Sequence, residues 1–114
     1  MKAVFKLSID CGRSGELEGL FIATKEEVKQ LLECDYEVYW GEVLGKHSEV
    51  YGKIEEKEII FVSDDEAVIK VIEDHGLQNG FDPFDYEFLN FDYDNLLPNN
   101  EDATTVREVL SALR

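Results

Sequence analysis

The sequence predicts an α+β fold: an antiparallel sheet of four or five strands, two strand-strand-helix units, and a C-terminal helix, with the helices packed mainly on one face. Three observations predict it. Segments with strand-like alternation occur in hairpin-length pairs, without a crossover helix between every pair. Each pair leads into a hydroxyl residue followed three positions later by glutamate, the capping-box pattern of a helix start. An amphipathic stretch of helical period closes the chain.

The first unit is a hairpin followed by a helix. Apolar residues from Ala3 to Ile9 occupy alternate positions, which predicts a strand with one buried face. Thr24 and Glu27 have capping-box spacing and open the helix. The predicted elements of this unit are strands at 2–10 and 17–23, a turn at 12–15 and a helix at 25–33.

The second unit repeats this order 39 residues further along. Ser63 and Glu66 form a second capping box, and Gly76 is placed to end the helix that follows. The predicted elements are a strand at 36–43, a hairpin that pairs 49–54 with 58–62 across the turn 55–57, and a helix at 64–75. The predicted buried stripe of this helix is Ala67, Val68, Val71 and Ile72. The core is predicted to include Phe5, Phe21, Ile22, Trp40, Phe61, Val68 and Ile72.

We expect the 114 residues to form one domain. The predicted parts are an α+β core at 1–76, an acidic aromatic loop region at 77–101, and a C-terminal helix at 102–114. Asp102 is placed to cap that helix. Its apolar face consists of Val106, Val109, Leu110 and Leu113, spaced i, i+3, i+4 and i+7.

Composition restricts the class of function. The chain has 26 acidic and 11 basic residues, a net charge of −15, which disfavours binding to nucleic acid or to anionic lipid because both require cationic side chains. No apolar run approaches the roughly 20 residues of a membrane span, and the N-terminus lacks a signal-peptide core. We therefore expect a cytoplasmic protein with no membrane partner. Cys11 and Cys34 are too few for a disulfide scaffold.

The acidic charge is concentrated in the second half of the chain. Residues 1–57 carry 12 acids and 8 bases, whereas residues 58–114 carry 14 acids and 3 bases. Between Lys70 and Arg107 the sequence contains nine acids and neither lysine nor arginine. Repulsion there is uncompensated by local ion pairs, so a basic partner is expected to be attracted to this stretch.

Segment 81–94 interleaves aromatic rings with carboxylates and is the main candidate site. One interpretation is a binding surface, where rings supply contact area and carboxylates steer a basic protein. The other is that the rings pin a long segment to the core while the acids face water. The candidate partner-binding residues are Asp82, Asp85, Tyr86, Glu87, Asp92, Tyr93, Asp94, Glu101 and Asp102.

A calcium site is the second hypothesis, and calcium is the one cofactor the sequence suggests. Asn90, Asp92, Asp94 and Glu101 occupy positions 1, 3, 5 and 12 of a calcium-loop pattern. Asn95 stands where that loop has glycine, so the match is incomplete.

An enzyme is the least favoured class. Cys11 and His47 are the one pair that suggests nucleophilic chemistry, but the sequence does not bring them together. Cys11 is in phase with the buried face of the first strand, which favours a structural role. We expect a protein without catalytic residues.

In size, charge and aromatic-acidic makeup, the whole chain resembles the small acidic inhibitors encoded by phages and mobile elements that mimic DNA. The resemblance implies a class: a non-enzymatic domain that engages a basic protein surface, as a nucleic-acid mimic that inhibits a DNA- or RNA-binding protein. Phage proteins of similar appearance also include many of no known function. The alternatives are the calcium-responsive module and a small protein whose charge serves only solubility.

Overall fold

The computed structural model describes residues 1–44, 49–89, 91–98 and 103–113. Within these ranges the strands are β1 (Lys2–Asp10), β2 (Glu16–Thr24), β3 (Glu37–Gly41), β4 (Val50–Gly52), β5 (Ile59–Ser63), β6 (Asn79–Gly80) and β7 (Glu87–Leu89). The helices are α1 (Lys25–Glu33), α2 (Glu66–Asp74), α3 (Tyr93–Leu96) and α4 (Val106–Leu113), and single 3-10 turns occur at Gly12–Ser14, Glu56–Glu58 and Pro83–Asp85. The predicted α+β class is confirmed.

The strands form two antiparallel sheets. The first has four strands in the order β5-β1-β2-β6, and the second has three in the order β4-β3-β7. β1 and β2 form the predicted hairpin, in continuous register from the pair Lys2 and Thr24 to the pair Asp10 and Glu16. Alternation along β1 places Phe5 on the face of the main core and Val4 on the opposite face.

Helices cover both faces of the four-stranded sheet. α1 and α4 lie on the main-core face, where Leu31 and Val106 are buried in the cluster that contains Phe5. α2 lies on the other face and buries Ile69 and Ile72 in a separate cluster with Val4 and Ile22.

The predicted hairpin of 49–54 with 58–62 is wrong. β4 pairs with β3 in the second sheet, and β5 pairs with β1 in the first. The Glu55 amide donates to Glu58 Oε1 (2.8 Å), and the Glu58 amide donates to the Glu55 carbonyl (2.9 Å). These bonds form a 3-10 turn between β4 in the second sheet and β5 in the first. Alternation of apolar and polar residues indicates which face of a strand is buried, but it does not indicate which other strand pairs with that strand.

Two predicted core residues are on the surface. Phe61 is 50% exposed and Val68 is 37% exposed, whereas Phe5, Phe21, Ile22, Trp40 and Ile72 are buried as predicted.

α2 begins at Glu66 rather than 64, because the Asp65 side chain, not that of Ser63, accepts from the Ala67 amide (2.9 Å). This helix buries Ile69 and Ile72 and leaves Val68 and Val71 exposed, since its run of apolar residues is compatible with more than one buried stripe.

The loop predicted at 77–101 contains regular structure in its described part: β6, the turn at 83–85, β7 and α3.

The sequence predicts that the C-terminal helix begins at an Asp102 cap, but Asp102 lies outside the described residues. α4 begins at Val106, and Thr105 Oγ1 accepts from the Glu108 amide (3.3 Å) while Glu108 Oε1 accepts from the Thr105 amide (3.1 Å). This reciprocal pair is a capping box. None of the helices in the described ranges is long and apolar enough to cross a membrane.

Candidate acidic interaction surface

Segment 79–98, hereafter the acidic segment, is held to both sheets by its backbone. β6 pairs with β2 at Gly19 and Gly80, and the Phe81 amide donates to the Glu18 carbonyl (3.0 Å). β7 pairs with β3, and the Val106 amide donates to the Tyr86 carbonyl (2.7 Å). The acidic segment therefore connects the end of the first sheet, the second sheet and α4.

Three of its aromatic rings anchor it in the core. Phe84, Phe88 and Phe91 are buried. The Phe84 ring packs edge-on against Phe21 (centroids 5.9 Å apart), and the Phe91 ring packs against Tyr36 (4.9 Å). These contacts support the interpretation that rings pin the segment to the core.

The two tyrosines proposed for partner binding are partly buried. The Tyr86 ring lies 4.7 Å from that of Trp40, and the Tyr93 hydroxyl donates to the Thr104 carbonyl (3.4 Å). Burial raises the pKa of both phenols, with further contributions from Asp85 at Tyr86 and from Glu87 at Tyr93. Both stay protonated near neutral pH, so each hydroxyl can donate a hydrogen bond.

Two of the candidate carboxylates cap turns. Asp82 Oδ1 accepts from the Phe84 amide (2.9 Å), and Asp82 is partly buried. Burial raises its pKa despite the opposing effect of that hydrogen bond. Asp92 accepts from the Asn95 amide (3.2 Å) and from the Asn95 side chain (2.7 Å). Both side chains therefore stabilise the local backbone, although Asp92, unlike Asp82, is exposed.

Three other candidate carboxylates project into solvent. Asp85, Glu87 and Asp94 are exposed. Glu87 and Asp94 lie on the wall of an open cleft of about 450 Å³, which Tyr93 and Thr104 also line. Asp85 lies 3.9 Å from an Arg107 guanidinium nitrogen and is 70% exposed at its side chain, so that pair is weak. We call Asp85, Glu87 and Asp94 the exposed triad.

Sequence reasoning missed an ion pair that packs against the acidic segment. Arg107 Nε lies 3.2 Å from Glu27 Oε2, and the guanidinium lies over the Phe84 ring (4.9 Å). Burial acts to raise the pKa of Glu27, but hydrogen bonds from the Thr24 amide and from Arg107 outweigh it, so the pKa is lowered. Glu27 and Arg107 are 80 positions apart, and no local pattern relates them.

Three of the predicted site residues, Asn90, Glu101 and Asp102, lie outside the described residues. Of the predicted calcium ligands, Asp92 has both carboxylate oxygens bonded to Asn95 and Asp94 is exposed. In the part of the chain that the structure describes, no three acidic, histidine or cysteine side chains are grouped as metal ligands. The calcium loop stays a prediction.

Cys11 lines an open cleft of about 540 Å³ beside Trp40 and Asp10. Burial raises its pKa, and the negative charges of Asp10 and Glu58 raise it further. A raised pKa reduces the thiolate fraction, which opposes nucleophilic chemistry. His47, its suggested partner, lies outside the described residues.

Comparisons of the chain with models of known protein families, with curated proteins and with solved structures find no match.

Proposed function

We propose that this protein is a non-enzymatic binding domain whose acidic segment engages a basic surface of another protein, and that it acts as a nucleic-acid mimic that inhibits a DNA- or RNA-binding protein. The exposed triad carries the proposal. It combines solvent-facing carboxylates with a backbone held by strand pairing and buried rings, in a stretch of sequence that has neither lysine nor arginine between Lys70 and Arg107.

Rigidity favours recognition by this surface. The buried rings of Phe84, Phe88 and Phe91 hold the backbone on the core. The exposed triad lies within three residues of these rings along the chain, so its backbone is in place before a partner arrives. Little conformational entropy is then lost on binding. Partly buried Tyr86 and Tyr93 add apolar contact area beside the charges, as at many protein interfaces, and Tyr86 adds a hydroxyl donor.

The number of carboxylates is close to the number of phosphates in duplex DNA of the same length, and basic residues reduce the net charge to −15. The longest dimension of the protein is 42 Å. Duplex DNA of that length carries about 25 phosphate charges at one per roughly 1.7 Å. The chain carries 26 carboxylate side chains and 11 basic ones. A protein surface that binds the phosphates of duplex DNA would therefore also meet a high density of negative charge on this protein.

The proposal is tested with immobilised wild-type protein in lysate, with release of bound proteins by duplex DNA at constant ionic strength. We expect nucleic-acid-binding proteins to be captured and then displaced by the DNA. A variant that neutralises the exposed triad, Asp85→Asn with Glu87→Gln and Asp94→Asn, should capture far less of the same proteins.

The matched control neutralises three exposed acids elsewhere on the molecule: Glu16→Gln, Glu26→Gln and Glu42→Gln. It has the same net charge as the triad variant and should retain capture. Equal capture by the two variants would show that net charge, not this surface, holds the partner. Captured proteins that DNA does not displace would contradict mimicry.

A further inference from the structure

β5 is the outermost strand of the four-stranded sheet, and it is an unusual edge. One side of it pairs with β1, and its other side pairs with no strand in the described ranges. Every second residue of an edge strand directs its N–H and C=O groups away from the sheet, which makes such an edge a template for another strand. Natural edges are usually protected by charge or proline, but Ile59–Ser63 contains neither.

The three central side chains of β5 are apolar and exposed. Ile60 is 46%, Phe61 50% and Val62 49% exposed. Phe61 also lines a groove of about 490 Å³ between β5 and α1, where apolar Phe5, Val28 and Leu32 lie beside two lysines and two glutamates. A strand added at this edge would gain backbone hydrogen bonds and could place alternate side chains against the groove.

Acidic residues bracket the apolar strand at both ends. Glu55, Glu56 and Glu58 precede it, and Asp64, Asp65 and Glu66 follow it. Lys57 lies 3.5 Å from Glu55, and Lys25 lies 2.9 Å from Asp64. These two lysines neutralise only part of the acidic charge at the two ends of the strand.

This arrangement opposes a second copy of the chain as the occupant. Antiparallel pairing of two β5 strands about Phe61 would bring the acids that precede the strand in one copy close to the acids that follow it in the other, with Glu58 nearest to Asp64. Lys57 would be the one basic residue of the preceding segment in that region. Parallel pairing in register would place each acid opposite itself. Like charges directly across strands are destabilising.

We infer that β5 binds an extended segment of a partner protein by strand addition, and that this segment has an apolar centre of about five residues with lysine or arginine at both ends. The centre covers Ile60, Phe61 and Val62, and the basic ends meet the two acidic brackets. The spacing follows from the five-residue strand, which spans about 17 Å at roughly 3.3 Å per residue. The inference involves none of the exposed triad and stands separately from the proposed function.

The test uses the full chain and a labelled nonapeptide with two lysines at each end of Val-Thr-Val-Thr-Val. Binding is followed by fluorescence anisotropy, and its position by backbone amide NMR. We expect saturable binding, with shift changes and slowed amide exchange in β5 and shift changes in α1. A peptide with glutamate in place of the four lysines should bind at least about tenfold more weakly.

Two variants place charge in the strand, Phe61→Lys and Val62→Lys, so that the test does not depend on one of them folding. Each should weaken binding of the basic peptide about tenfold or more. The matched control is Leu77→Lys, a residue of similar exposure (47%) that precedes β6 at the opposite edge of the sheet. It should bind as the wild type does.

Four results would overturn the inference. They are equal binding of the two peptides, shift changes confined to the acidic segment, no binding by about 1 mM peptide, and a wild-type dimer that Phe61→Lys dissociates. The last would identify a second copy as the occupant. Shift changes confined to the acidic segment would favour that surface as the binding site for basic segments. None of the four results contradicts the capture experiment with the exposed triad, so the two proposals fail separately.

Discussion

At the scale of single residues, the acidic segment depends on a few side chains that serve structure rather than recognition. Asp82 resembles its neighbours in sequence, yet the structure turns it inward to cap the amide of Phe84. Gly19 and Gly80 let two backbones meet where any side chain would collide. Residue type alone therefore does not separate the acids that project from those that hold the backbone.

Asp82→Asn is expected to stabilise the protein at neutral pH. Burial raises the pKa of Asp82 above its ordinary value of 3.8, so its ionisation costs native-state stability as the pH rises through the folded-state pKa. Asparagine keeps the capping oxygen without the charge. Urea unfolding at pH 7 should show a gain of up to about 1 kcal/mol.

The gain should disappear at a pH well below 3.8, where the wild-type carboxyl is also neutral in both states. Asp94→Asn removes an exposed charge from the same segment and serves as the control for general repulsion. If Asp82→Asn increases the free energy of unfolding no more than Asp94→Asn does, then burial of Asp82 has no effect on stability.

Gly80→Ala should be among the most destabilising small substitutions. Gly80 has a φ of 68°, and a Cβ there would lie 2.2 Å from the Glu18 carbonyl oxygen. Gly76 has a similar φ of 61° but open space around it, so Gly76→Ala carries only the backbone strain. We expect a loss of about 1 kcal/mol at Gly76 and of about 2–3 kcal/mol at Gly80, measured by urea unfolding. Equal losses would mean that the close approach of β6 to β2 is not present in solution.

At the scale of elements, the hairpin of β1 and β2, helix α1 and its Thr24–Glu27 capping box were all predictable, because each is specified by residues a few positions apart. The partners of β4 and β5 were not predictable, since alternation carries no information about which strand lies alongside. The acidic segment was predicted as a loop because its strands have only two or three residues. Sequence pattern leaves open whether its rings anchor the segment or contact a partner, and only the fold separates buried Phe84 from partly buried Tyr86.

The ion pair between α1 and α4 should contribute measurably to stability. Glu27 is 14% and Arg107 40% exposed at the side chain. A double-mutant cycle of Glu27→Gln and Arg107→Gln should give a coupling of about 0.5–1 kcal/mol, because partial exposure screens the pair. Glutamine at position 27 still accepts from the Thr24 amide, so the cycle isolates the contact with Arg107.

The pH dependence of this coupling has a definite sign. Hydrogen bonding lowers the folded-state pKa of Glu27 below its ordinary value of 4.5, so its contribution is present above 4.5 and is lost as the pH falls through the lowered pKa. The exposed pair Lys29 and Glu33, 4.0 Å apart, is the control and should show coupling near zero. No difference between the two cycles at pH 7 would contradict the role of Arg107.

At the scale of the whole molecule, a net charge of −15 makes self-repulsion a cost of the folded state. Added sodium chloride should screen it, so the melting temperature should rise by roughly 3–5 °C between low and physiological ionic strength. The melting temperatures in NaCl and in KCl should be equal at the same ionic strength, because screening depends on ionic strength and not on which of these cations is present. A falling melting temperature would contradict the role of repulsion, and a larger rise in CaCl₂ at matched ionic strength would instead support the calcium loop.

The most direct measurement is the affinity of the purified protein for a captured basic partner as a function of salt, with the triad variant and the Glu16, Glu26 and Glu42 variant measured alongside. If the exposed triad binds the partner, the wild type and the control should lose affinity steeply as salt rises, and the triad variant should bind more weakly with a shallower dependence. Identical affinities and salt dependences for all three proteins would contradict the account, because the acidic segment would then take no part in the complex.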